Sequence, residues 1–258
     1  MGNFWPVYLR ELRSYTATFI AYLVGVMFLL VSGVLFTMIL LDYSRYSFEL
    51  IRTGYAFNVE GLTVAEGILR PTLSSISFLL LFLMPLLTMK SFSEEKKSGT
   101  IEMLFTYPVR DSGIVFAKFG AALSVFAVLL GITALYQVEV AFLKPLPWRE
   151  MLTGYLGLLL IGALFASIGI FVSSLTENQV IAGAWTFGMN MLLWLCGWLG
   201  GDSQSAFAEA LRYLSVFNHL EGFTGGMVDT RDVVYFVSLT GLFLFFTLRV
   251  LESKRWRS

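Results

Sequence analysis

The residues best suited to chemistry in this 258-residue chain are four consecutive charges, at positions 94 to 97, within the stretch EEKKSGTIEMLFTYP. Paired glutamates can bind a metal or activate water when histidines accompany them, whereas adjacent acidic and basic side chains can specify how another protein docks. The sequence has one histidine, His219, and one cysteine, Cys196, which excludes a cysteine-based metal site and an intrachain disulfide. The pattern favours docking, and we expect no catalytic residue and no metal site.

The composition places these charges in a membrane protein. Hydrophobic residues make up 57% of the chain and charged residues only 14%, where a soluble domain has about a quarter of its residues charged. The mean hydropathy is +0.74. The formal net charge is zero, so no basic surplus indicates a nucleic-acid partner.

Six apolar stretches are long enough, or nearly so, to cross a bilayer, which takes about 20 residues of helix. A spanning strand would have to belong to a closed barrel of alternating segments, so helices are predicted. The first stretch is too long for a cleaved signal sequence and is expected to be retained. We therefore predict an all-α polytopic protein whose residues 1–258 form a single transmembrane domain. The predicted spans are 18–41, 72–91, 114–143, 152–173, 180–199 and 233–250.

The distribution of lysine and arginine predicts the orientation of these spans. Most of these residues lie on one side if both termini are cytoplasmic, as the positive-inside rule requires. On the other side, residues 42–70 are expected to form a loop, and residues 200–232 a short outer helix or re-entrant pair broken at Gly225-Gly226. His219 falls in this second segment and is expected to pack or hydrogen-bond at the interface.

The first 15 residues predict an amphipathic helix at the membrane surface. Trp5, Tyr8, Leu12 and Tyr15 recur at steps of three and four, which places an aromatic face in the lipid headgroups. The alternative is a helical extension of the first span.

The charged stretch falls in the cytoplasmic connection between the second and third spans. Gly99 could cap a short helix with Glu102 in its first turn, and apolar residues from Ile101 to Pro108 then lie on one face. Pro108 would end that helix. The alternative is an ordinary solvated loop that carries positive-inside lysines.

This segment resembles a known family. FSEEKKSGTIEMLFTYPVRDSGIVFAKF is similar to the signature of ABC-2 type permeases, in the branch associated with gliding motility and nitrous-oxide reductase maturation. NHLEGFTGGMVDTRDVVYF, before the last span, resembles a second segment of that family. The resemblance covers nearly the whole chain and implies a permease subunit in a bacterial inner membrane.

The resemblance also implies roles for particular residues. The first motif would be a cytoplasmic coupling helix that inserts into a groove of a separate ATP-binding subunit, and the loop SSLTENQ would make a second, smaller contact. The residues concerned are Glu94, Glu95, Lys96, Lys97, Gly99, Thr100, Glu102 and Pro108 in the first segment, and Ser174, Thr176, Glu177 and Asn178 in the second.

Partners follow from the same resemblance. The sequence has no G-x-x-x-x-G-K-[ST] phosphate loop, so ATP and Mg are expected in a partner ATPase and no cofactor in this chain. A second permease chain would complete twelve spans, with a homodimer the expected form. Small residues at Gly162, Ala166 and Gly169, or at Ala184 and Gly188, could form close helix contacts within one chain or across the dimer.

Two other functions compete with this one. An intramembrane hydrolase would need more histidines near the paired glutamates than the chain provides. A stand-alone ion-coupled carrier would place ionisable residues at membrane depth, where these spans offer only groups such as Thr133, Ser167 and Asn190. That interior favours an apolar or amphipathic cargo such as a membrane lipid. Alternatively no cargo crosses, and motion passes to a periplasmic accessory protein that docks on residues 42–70 and 200–232.

Overall fold

The computed structural model describes residues 4–53, 63–100, 111–142, 145–199 and 205–255. This part of the chain contains ten α-helices and one short π-helix, Ala65–Leu69, and no strand. The α-helices are α1 (Phe4–Ala17), α2 (Phe19–Thr53), α3 (Arg70–Thr88), α4 (Ser93–Lys97), α5 (Asp111–Ala141), α6 (Trp148–Leu175), α7 (Gln179–Leu199), α8 (Ala206–Leu214), α9 (Val216–Thr224) and α10 (Thr230–Arg255).

Six of the described helices are long and apolar enough to cross a membrane, namely α2, α3, α5, α6, α7 and α10. Each corresponds to one predicted span, so the prediction of an all-α polytopic protein is confirmed. The face of the bundle that carries α1 and α4 is called the terminal face, and the opposite one the far face. An apolar cluster around Phe92 joins the ends of α5, α6 and α10 at the terminal face.

The predicted loop at residues 42–70 is wrong over its described parts. Helix α2 continues to Thr53, and a π-helical turn at Ala65–Leu69 leads directly into α3. Residues 42–53 contain no glycine or proline that would break a helix. Helix α2 can therefore extend beyond its apolar part. The polar side chains that suggested a loop are equally suited to an exposed helix.

Helix α6 is the central element, and it is the most deeply buried of the six spans. It packs against α3, α5, α7, α9 and α10. Its small residues let neighbours approach closely: a Cβ at Gly162 would meet Phe126 and Met84, and one at Gly169 would meet Thr88. These two glycines and the buried Ala166 therefore serve contacts within the chain, which answers the question that the sequence left open.

Helix α1 is a separate helix, as predicted, because the chain leaves helical conformation at Thr18. The hydroxyl of Tyr8 lies 2.8 Å from Ser124 Oγ on α5, and that of Tyr15 donates to the carbonyl of Leu87 on α3 at 2.9 Å. Trp5 is 61% exposed. The aromatic face is thus divided, since the two tyrosines contact the spans while Trp5 is largely exposed and stacks on Tyr8.

The far face carries the two short helices α8 and α9, and α9 ends directly before Gly225-Gly226, as predicted. His219 on α9 is buried. Its Nδ1 lies 2.6 Å from Asp232 Oδ1, and its Nε2 lies 2.9 Å from the carbonyl of Tyr213. Both ring nitrogens therefore lie within hydrogen-bonding distance of an oxygen atom. The predicted packing and hydrogen-bonding role of His219 is confirmed.

Candidate functional site

The four charges at positions 94–97 belong to a helix of their own, α4, rather than to an irregular flank. Glu94 and Lys97 are exposed, Glu95 is half-buried and Lys96 is buried. One turn of helix thus divides the four charges between a solvent side and a protein side. Glu102 and Pro108, with the rest of residues 101–110 where the second short helix was predicted, lie outside the described residues, so that helix stays a prediction.

Gly99 lies just beyond the C-terminal end of α4, with a φ of +69°. A left-handed glycine at this place is the common way to end a helix, because no Cβ opposes the conformation. An N-cap residue normally has an extended backbone instead. The position of Gly99 is therefore accounted for by the helix before it. The exposed Thr100 follows, with its hydroxyl 2.8 Å from Ser98 Oγ.

Helix α4 is anchored to the end of α6 by Ser173 and Lys96. The Oγ of Ser173 accepts from the backbone N–H groups of Phe92 at 3.0 Å and Ser93 at 3.1 Å, two donors that have no partner within α4. The same hydroxyl donates to the carbonyl of Met89 at 3.0 Å. Lys96 donates from Nζ to the carbonyl of Ser174. The first predicted contact segment, which contains α4, is therefore fixed to α6. Helix α6 leads directly into the second predicted contact segment.

The second segment is the tight connection between α6 and α7, and α4 packs against both of these helices. Asn178 caps α7, because its Oδ1 accepts from the backbone N–H of Val180 at 2.9 Å. Thr176 Oγ1 accepts from the N–H of Asn178 at 3.2 Å. Glu177 and Asn178 are exposed, whereas Ser174 is buried beneath α4. The structure thus brings the two predicted segments together. The carbonyl of Ser174 holds Lys96 of α4 from beneath.

Four charges, named here the charge ring, join α4 to two further helices. Glu95 Oε1 accepts from Lys118 Nζ at 2.9 Å and from Arg10 Nη2 at 3.1 Å. Glu11 Oε1 accepts from the same two cations, at 3.1 Å and 2.9 Å. Lys118 is 2% exposed and lies over the ring of Phe92. Each buried charge thus has two opposite neighbours, as a desolvated ion requires.

Of the residues that hold α4, Glu95 was predicted from the sequence, whereas Ser173 and the other three members of the charge ring were not. Glu95 and Lys118 are 23 positions apart, and Glu11 and Lys118 are 107 apart, so no local spacing links them. The only available signal was Lys118 itself, a single cation inside an apolar run that needs a partner when buried.

The arrangement links a charged surface to the packed interior of the helix bundle. Within the described ranges, no group of three or more His, Cys, Asp and Glu residues could hold a metal ion. Helix α4 instead connects the exposed charges at the terminal face to α1, α5 and α6. A bundle of six helices of spanning length and composition defines a polytopic membrane protein.

Comparison with known proteins supplies the family. A family model described as ABC-2 family transporter protein matches residues 66–248, well over half of the chain. The chain therefore belongs to the ABC-2 family of transporter proteins. A comparison with curated proteins finds no match.

Membership in this family has direct consequences. The protein is a multi-pass permease component of an ABC transporter and is not itself the catalytic subunit. The family implies an ABC ATPase partner and usually a dimeric arrangement.

Proposed function

We propose that this chain is the permease subunit that couples ATP hydrolysis by a separate ATPase to export of a substrate or to motion of a periplasmic partner. The observation that carries this proposal is the anchorage of α4 to α6 through Ser173 and Lys96, since it joins the two cytoplasmic contact segments into one body. ATP and Mg would reside in the ATPase. The resemblance to the gliding-motility and nitrous-oxide-reductase-maturation branch supports this assignment.

The proposed docking surface consists of the exposed residues of both segments. These are Glu94, Lys97, Gly99 and Thr100 on one side, and Glu177 and Asn178, with the half-buried Thr176, on the other. Adjacent charges of opposite sign fix the register of an interface more than they add affinity. Glu95, Lys96 and Ser174 would support this surface from beneath, because their side chains or carbonyls are engaged within the chain.

Helix α6 offers a path from the docking surface to the far face. At its terminal-face end Ser173 binds α4, and at its far-face end Thr153 Oγ1 donates to the carbonyl of Phe223 on α9 at 2.7 Å. A rigid helix with bonds at both ends can transmit a movement as a shift between two packed arrangements. This link favours transmission of motion to a periplasmic partner as the second candidate output, beside export of an amphipathic cargo.

The proposed setting is a bacterial inner membrane with both termini cytoplasmic, so that the terminal face meets the ATPase. The proposed assembly is a homodimer. Ala184 is exposed on α7, and a Cβ at Gly188 would have nothing within 4 Å. That small-residue surface would suit contact with a second permease chain.

Charge reversal on the docking surface tests the proposal. We expect Glu94→Lys to weaken co-purification of the ATPase with the tagged chain by about fivefold, because opposed like charges disfavour docking. Lys97→Glu should act similarly. The matched control is Glu209→Lys, an exposed reversal on α8 at the far face that should leave co-purification unchanged. Membrane insertion should be equal in all variants.

The outcome that contradicts the proposal is equally specific. Full retention of the ATPase by the Glu94→Lys/Lys97→Glu double variant, with normal ATP hydrolysis, would place the docking surface elsewhere. Absence of any ATPase under several gentle extraction conditions would leave a stand-alone carrier as the better hypothesis.

A further inference from the structure

A cavity of about 440 Å³ opens between α1, the start of α2, the end of α3 and α4. Its volume lies in the range of roughly 300–1,000 Å³ typical of small-molecule sites. One wall is apolar and is made by Ile20, Val24 and Leu86. Ile20 is 45% exposed and Leu86 is 44% exposed, so this wall continues onto the outer surface of two spans.

The rest of the cavity lining is largely polar or charged. It includes the whole charge ring, in which two cations and two carboxylates compensate one another. Two further charges line the same cavity, Lys90 and Glu94. Neither of these side chains forms an ion pair or hydrogen bond with the residues that the structure describes. Among the described residues, the cavity thus presents one cation and one anion that form no ion pair, beside an apolar wall.

We propose that this cavity binds the headgroup of a membrane phospholipid that carries a primary amine, of the phosphatidylethanolamine type. Lys90 binds the phosphate, and the carboxylate of Glu94 accepts from the ammonium group. The first part of an acyl chain lies along Ile20, Val24 and Leu86. The remaining hydrocarbon follows the exposed surface of α2 into the membrane.

Three observations select this ligand among membrane lipids. The cavity joins the ends of two spans to an amphipathic helix, which is the depth of the headgroups. The two available charges have opposite signs, so a zwitterion leaves neither unpaired, whereas an anionic headgroup leaves Glu94 uncompensated. An ammonium with three N–H donors can bind a carboxylate directly, and the methylated ammonium of a choline lipid cannot.

Native mass spectrometry of the purified permease, without any ATPase, tests this inference independently of the proposed function. Phosphatidylethanolamine, phosphatidylcholine and phosphatidylglycerol with identical acyl chains are added in turn. We expect Lys90→Gln to weaken binding of phosphatidylethanolamine about tenfold, through loss of a charge-assisted contact. Glu94→Gln should remove the preference for ethanolamine over choline. Lys97→Gln, an exposed change on the same helix that does not line the cavity, is the matched control.

A second pair of variants tests the apolar wall and the source of the phosphate. Ala21→Phe places a ring inside the cavity and should weaken lipid binding severalfold, whereas Val26→Phe on the exposed side of α2 should not. Excess inorganic phosphate or O-phosphoethanolamine should not displace the lipid, since neither uses the apolar wall. Variants are compared only where thermal unfolding matches that of the parent chain.

Several outcomes would overturn the inference. Binding of phosphatidylglycerol as tight as that of phosphatidylethanolamine is one, and equal effects of Lys90→Gln and Lys97→Gln are another. Displacement by inorganic phosphate would show an anion site rather than a lipid site. Equal retention of all three lipids by every variant would indicate non-specific binding of the lipid that surrounds any membrane protein.

Discussion

Lys118→Met is expected to destabilise the terminal face by about 3 kcal/mol. Lys118 is 2% exposed and binds Glu11 and Glu95, so methionine preserves much of the packing volume but leaves two mostly buried carboxylates without their shared cation. Arg10 remains beside both carboxylates, which keeps the cost at the lower end of the range for a broken buried pair. The measurement is a denaturant titration of the purified chain in detergent.

The charge ring also provides the control for this prediction. In the triple variant Lys118→Met/Glu11→Gln/Glu95→Gln no carboxylate is left unpaired, so stability should return most of the way to that of the parent chain. Arg10→Met should cost less than Lys118→Met because Arg10 is mostly exposed. If Lys118→Met alone were neutral, or if the triple variant were the least stable of the series, the ring would not brace the terminal face.

Gly169→Val is expected to cost about 3 kcal/mol by forcing α3 and α6 apart. A Cβ at Gly169 would overlap the hydroxyl of Thr88 and come within 2.8 Å of its Cβ, on two helices whose facing surfaces are fully buried. Because α6 is the central span, the displacement would reach α4 through Ser173. Denaturant titration measures the stability, and ATP hydrolysis by the assembled transporter measures the effect on coupling.

Gly188→Val is the matched control, because a Cβ at Gly188 meets nothing within 4 Å. It should change the stability of the isolated chain by no more than about 0.5 kcal/mol. Combining Gly169→Val with Thr88→Ala should recover part of the loss, since the hydroxyl that the new side chain meets is removed. Equal stability of Gly169→Val and Gly188→Val would contradict the close approach of α3 and α6.

The six spans could be predicted from the sequence because membrane solvation acts on each segment separately. A spanning helix satisfies its backbone hydrogen bonds within its own segment, whereas a spanning strand needs the neighbours of a closed barrel. The same local reasoning failed at residues 42–53. Polar side chains there were taken to indicate a loop, although the segment contains no glycine or proline to break a helix. Polar side chains there indicate that the segment is exposed to water. They do not distinguish an exposed helix from a loop.

The candidate site could be predicted only in part, for a different physical reason. The family-like motif identified positions 94–97, but its four charges look equivalent in the sequence. Their division depends on which groups α4 meets: a serine hydroxyl and a backbone carbonyl on α6, and Lys118 on α5. Ser173 and Lys118 lie far from α4 in the chain, so only the fold reveals that they brace it.

The central claim is that α4 and the connection between α6 and α7 form one ATPase-docking surface. Site-specific photocrosslinking in native membranes tests it most directly, with the photoreactive residue placed at Lys97, at Glu177 or at the far-face control Glu209. The account predicts crosslinks to the same ATPase subunit from Lys97 and from Glu177, and none from Glu209. Crosslinks from Glu209, or from neither Lys97 nor Glu177 in a complex that still hydrolyses ATP, would contradict it.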